Sequence, residues 1–157
     1  MYTSVNETDK FGYNDCVLNR AELGNGFLSL SLEALIVKGD NSQNSNYTDS
    51  YAGESVMTFE GVKVVSLIRQ GMKYFDADDH LINEVPDEEL NVILTDIPSL
   101  LSKKFLLEVS RKEGKLYSLQ VETPIEEYGD ISDIYELTVE SDKVTVTWEK
   151  YMNRVQN

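Results

Sequence analysis

The chain has 157 residues, with 28 acidic side chains against 14 basic ones and a formal net charge of −14. This length suffices for one domain with a single core, and a hydrophobic fraction of 41% is too high for a disordered chain. One Cys and one His exclude an intramolecular disulfide and a Cys/His zinc site, and the charge argues against binding to nucleic acid or to an anionic membrane.

Residues 1–12 contain no apolar run, so the sequence predicts no signal peptide. We expect a single domain over residues 1–157, with a poorly ordered N-terminal segment over residues 1–12. A cytoplasmic location is expected, because a single thiol suits a reducing compartment.

The first predicted elements form a hairpin. Apolar side chains alternate with polar ones from Leu28 to Ile36, which predicts a half-buried strand, and residues 16–23 are predicted as its partner. Gly24-Asn25-Gly26 supplies the positive φ angles that a tight hairpin turn needs.

The middle of the chain is also predicted as strand, over residues 54–60 and 62–75. Gly61 predicts a tight connection between them, and Gly71 predicts a bulge or sharp bend inside the longer run. Residues 76–79 are predicted as a turn that leads into a short strand over residues 80–85.

Helix signals are few. Residues 86–90 carry a Pro and acidic residues of the kind that favour a first helical turn. Asp96 is predicted as the N-cap of a short helix in residues 97–104, with Pro98 early and lysines late.

The last elements are two further predicted hairpins, residues 105–111 with 115–123 and residues 134–140 with 143–151. Trp148 shares the parity of Val144 and Val146 and is expected to anchor the core. The fold class is therefore mainly β (α+β at the margin), an antiparallel barrel or sandwich of about nine strands with one or two short helices.

Residues 38–53 form an unusually long polar segment without Val, Ile, Leu, Met or Phe. Segments of this length and composition are often binding loops, so Asn44, Asn46, Tyr47 and Tyr51 are candidate contacts to a partner or ligand. The alternative is a solvated crossover loop stabilised by its own Asx turns.

Asp76, Asp78, Asp79 and His80 invite comparison with a calcium-binding loop, but the positions that would need Gly and Glu hold Leu81 and Asp87. A hairpin turn is favoured. His80 and Cys16 are interpreted as structural residues, and we expect no catalytic residue, no metal site and no cofactor.

The excess of negative charge lies in two segments. Between Lys73 and Lys103, and again between Lys115 and Lys143, there are eight acidic residues and no Lys or Arg. If the two segments lie close together, they form one acidic surface that attracts a basic protein; otherwise they are separate solvated segments. The candidate contacts in these segments are Asp76, Asp78, Asp79, Glu126, Glu127 and Asp130.

The segment Phe11-Gly12-Tyr13-Asn14-Asp15-Cys16-Val17-Leu18 resembles the opening of small acidic all-β bacterial proteins of unknown function, some of which resemble immunity proteins of interbacterial toxin systems. The resemblance implies a cytoplasmic protein that binds a toxin and has no catalytic activity. It implies no particular site residue.

The leading hypothesis is a non-enzymatic acidic protein that binds a basic protein partner, in an immunity-like role. One alternative is a β-barrel that encloses a small apolar ligand. Another is a carboxylate-dependent enzyme with two acids in one cleft.

Overall fold

The computed structural model describes residues 1–124 and 132–155. It contains one α-helix, α1 (Ile97–Leu101), and one turn of 3₁₀-helix (Thr8–Lys10) in these residues. The strands are β1 (Tyr2–Val5), β2 (Phe11–Gly12), β3 (Val17–Gly24), β4 (Phe27–Glu33), β5 (Ile36–Val37), β6 (Ser50–Ala52), β7 (Ser55–Glu60), β8 (Lys63–Arg69), β9 (Met72–Phe75), β10 (Leu81–Val85), β11 (Glu88–Leu90), β12 (Lys104–Glu113), β13 (Leu116–Glu122), β14 (Ile134–Glu140), β15 (Lys143–Trp148) and β16 (Tyr151–Arg154).

The protein is mainly β, as predicted, and its strand pairs are antiparallel. Among the described residues, ten strands form one sheet in the order β1-β15-β7-β4-β3-β12-β13-β14-β8-β11, four form a second in the order β16-β6-β5-β2, and β9 pairs with β10 alone. Within the described residues β1 and β11 end the large sheet and do not pair with each other, so the sheet is open. Of the two predicted architectures, the structure has the sandwich.

The large sheet folds back on itself where β3 meets β12. These two strands pair over only two residues, Val17 and Leu18 of β3, so the contact acts as a corner. Phe59 of β7 then packs edge-on against Tyr117 of β13, with ring centroids 5.8 Å apart. The layer that contains β7 therefore faces the layer that contains β13.

One apolar core fills the space between the layers, because alternate residues of each strand point inward. Trp148 belongs to this core and is 2% exposed, as its parity predicts. The inward-facing residues of the longer strands are Leu28, Leu30, Leu32, Met57, Phe59, Leu67, Leu106, Val109, Tyr117, Leu119, Val121, Leu137, Val139, Val144 and Val146.

The first predicted hairpin is confirmed. Asn25 (φ 54°) and Gly26 (φ 79°) form the turn between β3 and β4. The strand predicted from Leu28 to Ile36 ends earlier, however, because Ala34 adopts φ 58° and ends β4 at Glu33. Beyond this kink, Ile36 and Val37 belong to β5 in the second sheet.

The β12–β13 hairpin is also confirmed, with Gly114 at φ 54° in its turn. The predicted hairpin of residues 134–140 and 143–151 is wrong, because β14 pairs with β13 and β8 whereas β15 pairs with β7 and β1. The connection crosses between the layers, and the backbone N–H of Asp142 donates to the carbonyl oxygen of Glu60 at the end of β7.

The predicted strand over residues 62–75 is divided at Gly71, as the glycine suggests. β8 stays in the large sheet, whereas β9 leaves it and, in the part of the chain that the structure describes, pairs only with β10. We call the hairpin of β9, its turn and β10, residues 72–85, the arm.

The predicted helix after Asp96 is confirmed as α1, whose N-cap carboxylate accepts a hydrogen bond from the backbone N–H of Ser99 at 3.3 Å. The helical turn predicted at residues 86–90 is wrong, because Glu88–Leu90 is strand β11 on the edge of the large sheet. Pairing with β8 and the packing of Leu90 on the core override the local preference.

Residues 1–12, for which the sequence predicts poor order, contain β1, the 3₁₀ turn and β2. β1 pairs with β15, and Phe11 of β2 is buried against Trp148, with ring centroids 6.0 Å apart. The segment therefore makes tertiary contacts although its own sequence carries little periodicity, and its degree of order stays a prediction.

Candidate functional site

Asn44, one of the candidates in the long polar segment, has a structural role. Asn44 is buried, and its side-chain Nδ2 donates toward the carbonyl oxygens of Val37, Lys38 and Thr48 at 2.9–3.1 Å. Its Oδ1 accepts the backbone N–H of Asn46 at 2.8 Å, which is the Asx turn that the structural alternative predicts. Asn44 therefore holds the loop and does not face solvent.

Two other candidates of this segment are exposed. Asn46 and Tyr47 lie next to each other near the tip of the loop, and Tyr47 is 89% exposed with φ 56°. Both residues are exposed to solvent, and their contact with a partner stays a prediction.

Tyr51 lies in a cleft of about 810 Å³. Its hydroxyl donates a hydrogen bond to Asp15 Oδ2 at 2.6 Å, and this bond raises the pKa of Tyr51. The hydrogen bond links the second sheet to the segment that precedes β3. The residues that line the cleft are Asp15, Glu33, Ala34, Tyr51, Ala52, Gly53, Glu54, Glu149, Lys150 and Met152.

The described lining of the cleft contains four acidic residues and one basic residue, Lys150. The sequence predicts none of these four acidic residues as a site residue, because they lie outside the two acidic segments and far apart in the chain. The ends of β4, β7 and β15 bring three of them, Glu33, Glu54 and Glu149, to one place. No spacing rule in the sequence could have joined them.

The two acidic segments do meet in the large sheet. β11 belongs to the first segment and β14 to the second, and both pair with β8. Glu89 and Glu136 lie opposite the same residue, Ile68, so the three side chains form one row on the outer side of the layer. Since neighbouring strands are about 4.8 Å apart, the strands that carry these carboxylates are about 10 Å apart. We call Glu89 and Glu136 with Ile68 the acidic face.

Other acids of the second segment are already paired with bases. Asp133 Oδ1 lies 3.0 Å from the Arg69 guanidinium, whose pKa is raised by this contact, and Asp142 Oδ1 lies 2.6 Å from Lys115 Nζ. Their charge is therefore partly compensated locally. Glu126, Glu127 and Asp130 lie outside the described residues.

The arm carries apolar side chains that the core does not cover. Phe75 and Leu81 lie opposite each other in the β9–β10 register and are 55% and 50% exposed, and Ile82 is 65% exposed. The arm also holds four acidic residues and one lysine. Exposed apolar side chains among carboxylates are typical of an interaction surface.

The acidic residues that resemble a calcium loop form the turn of the arm. Oxygens and nitrogens of Asp76, Asp78 and His80 lie within 4.8 Å of one another. The Asp76 carboxylate, however, accepts the backbone N–H groups of His80 and Asp78 at 2.9 Å, and these bonds lower its pKa. Asp79 adopts φ 61° in the same turn. These contacts are those of the hairpin turn that the sequence favours.

Neither candidate for nucleophilic or acid–base chemistry is placed with a catalytic set among the described residues. The His80 side chain is 75% exposed, and its Nδ1 lies 3.4 Å from Asp76 Oδ2. Cys16 is buried, and burial raises the pKa of its thiol to about 12.

The thiol of Cys16 should be unreactive in the folded protein. Because the thiolate is the nucleophile and burial disfavours it, labelling by a disulfide reagent should be at least about a hundredfold slower than for the urea-unfolded chain. Raising the pH from 7 to 9 should accelerate labelling of the unfolded chain but leave the folded protein slow. Fast native labelling that rises with pH would contradict the burial of Cys16.

Comparisons of the chain with models of protein families, with curated proteins and with solved structures found no match. Among the described residues, no helix combines the length and the apolar character required to cross a membrane.

Proposed function

We propose that this chain is a non-enzymatic acidic binding protein that recognises a basic protein partner, in an immunity-like role. The observation that carries the proposal is the register that places Glu89 and Glu136 on one row of the outer sheet surface. Two segments that are separate in the sequence thereby contribute to one negative surface.

Charge selects the partner. Lys or Arg side chains of a partner would meet the carboxylates of Glu89 and of Glu136, which accepts a hydrogen bond from the Ser118 hydroxyl at 3.0 Å but, like Glu89, has no ion pair among the described residues. The field of a chain with net charge −14 would speed the encounter. A second copy of this chain is disfavoured for the same reason, because it would bring like charges together.

The arm supplies the apolar part of the proposed interface. It leaves the large sheet between β8 and β11, and β11 carries Glu89 of the acidic face. A partner that covers Phe75, Leu81 and Ile82 would remove apolar surface from water, which stabilises a complex that charge first brings together. The expected partner surface is therefore basic with an apolar centre.

The test is capture of the partner from a lysate of the native host, with the full chain as bait. At low salt a protein of basic isoelectric point should be retained, and it should be released at about 1 M salt, where the Debye length is about 3 Å. Substitution by Gln of Glu84 on β10 of the arm and of Glu89 and Glu136 of the acidic face should weaken binding of the purified partner about ten- to a hundredfold, because it removes charge without changing side-chain size.

The matched control changes Glu33, Glu54 and Glu149 of the cleft to Gln, which alters the net charge equally. This control should bind the partner with nearly the affinity of the unmodified chain. Retention of no basic protein at low salt, or equal weakening by both triple variants, would overturn the proposed function. The gene next to that of this chain should encode the basic partner if the role is immunity-like.

A further inference from the structure

The cleft at Tyr51 has preformed walls. The backbone N–H of Ala52 donates to the carbonyl oxygen of Leu35 at 2.9 Å, and that of Gly53 donates to the carbonyl oxygen of Lys150 at 2.8 Å. The Tyr51–Asp15 hydrogen bond fixes the ring of Tyr51 on one side. A ligand therefore pays little ordering cost on entry, which favours affinity.

The lining of the cleft contains apolar groups that lie between the charged side chains. Ala34, Ala52 and Gly53 present small groups, and Met152 and the Tyr51 ring offer polarisable surface to an apolar or cationic group. A volume of about 810 Å³ falls in the range of small-molecule sites.

The charge of the cleft selects the sign of its ligand. Four acidic residues surround it, and Lys150 is the one basic residue in the described part of its lining, so we expect a negative potential in this concave region. The four acidic residues are exposed, so they would repel an anion and attract a cation, whereas a neutral apolar molecule would gain nothing from their charge.

We propose that this cleft binds a small organic cation, an ammonium ion carried on an apolar body. The ammonium group lies among the carboxylates of Glu33, Glu54 and Glu149, and the apolar body lies against Met152 and the Tyr51 ring. The cleft shares no lining residue with the arm or the acidic face, so this site is separate from the proposed protein interface.

The experiment is a backbone-amide NMR titration of the full chain with phenethylamine, which is protonated at neutral pH. Saturable shifts are expected at the amides of Tyr51, Ala52, Gly53 and Glu54. Phenethyl alcohol has the same apolar body without the charge, and its affinity should be lower by a factor of at least about ten. Phenylpropionate, an anion of similar size, should produce no saturable shift.

Two variants test whether phenethylamine binds in the cleft. The Glu33, Glu54 and Glu149 to Gln triple variant should bind phenethylamine about tenfold more weakly, whereas the Glu84, Glu89 and Glu136 to Gln variant should bind it as the unmodified chain does. The proposal is overturned by the absence of a saturable shift, by equal binding of the alcohol, or by equal weakening in both variants. If phenethylamine does not bind, the expected capture of the basic protein is unaffected. If no basic protein is captured, the expected result of the titration is unaffected.

Discussion

Replacing Trp148 with Ala should lower the free energy of unfolding by about 3–5 kcal/mol. Trp148 is 2% exposed, and its ring packs against Tyr2, Phe11 and Tyr151 at centroid distances of 5.5–6.0 Å. The substitution leaves a cavity where β15, the N-terminal strand and the second sheet meet. Because so much of the fold converges on this ring, the loss should affect the whole domain.

The measurement is urea unfolding followed by circular dichroism, since Trp148 is the only tryptophan and its fluorescence disappears with it. Trp148→Phe should cost less than the Ala variant, because the buried Nε1 has no hydrogen-bond partner among the described residues and no bond is lost. Tyr47→Ala, at an 89% exposed position, should change stability by no more than about 0.5 kcal/mol. A Trp148→Phe variant as destabilised as the Ala variant would show that the ring contacts are not the source of the effect.

Replacing Gly71 with Ala should displace the arm while the core stays folded. A Cβ at this position would lie 2.0 Å from the carbonyl oxygen of Val85 and 2.8 Å from the backbone nitrogen of Asp87, closer than such contacts occur. The same turn is held by a hydrogen bond of 2.7 Å from the Gly71 N–H to Asp87 Oδ1. The two ends of the arm must therefore move apart, at a local cost of about 1–3 kcal/mol.

Hydrogen exchange distinguishes a local effect from a global one. Amides of the arm should lose protection by about ten- to a hundredfold, whereas those of β7 and β15 should keep theirs. Gly24→Ala is the matched control, because a Cβ there meets nothing within 4 Å. Unchanged protection of the arm in the Gly71 variant would mean that its two ends can accommodate a methyl group.

The same Gly71 variant connects the arm to the proposed function. If Phe75, Leu81 and Ile82 contribute to the partner interface, the displaced arm should weaken capture of the basic protein although every carboxylate is retained. Undiminished capture would restrict the interface to the acidic face.

Local patterns in the sequence were sufficient for much of the β architecture. Alternation in β4 identified its inward side, and Asn25 and Gly26 identified a turn because few residues adopt positive φ. Gly71 marked the point where the chain bends, and Asp96 marked the start of α1 through a contact to Ser99 within one turn. All of these depend on residues near one another in the chain.

Pairing between strands was harder to predict from the sequence. A two-residue connection such as Ser141-Asp142 suits a hairpin, yet here it crosses between layers, because the Asp142 backbone bonds to Glu60 and not to the preceding strand. The short strand β11 forms because β8 offers an edge and the core accepts Leu90. Neither the contact of Asp142 with Glu60 nor the pairing of β11 with β8 can be predicted from the local sequence.

The sequence by itself determined that the protein is acidic and mainly β and that its excess charge lies in two segments. Tertiary structure alone decided that β11 and β14 flank β8, which brings Glu89 and Glu136 onto one row. It also assembled the cleft from Asp15, Glu33 and Glu149, residues that no local pattern connects. The physical reason is that periodicity and turn chemistry act over a few residues, whereas the position of a side chain on a surface depends on which distant strands pair to bury the core.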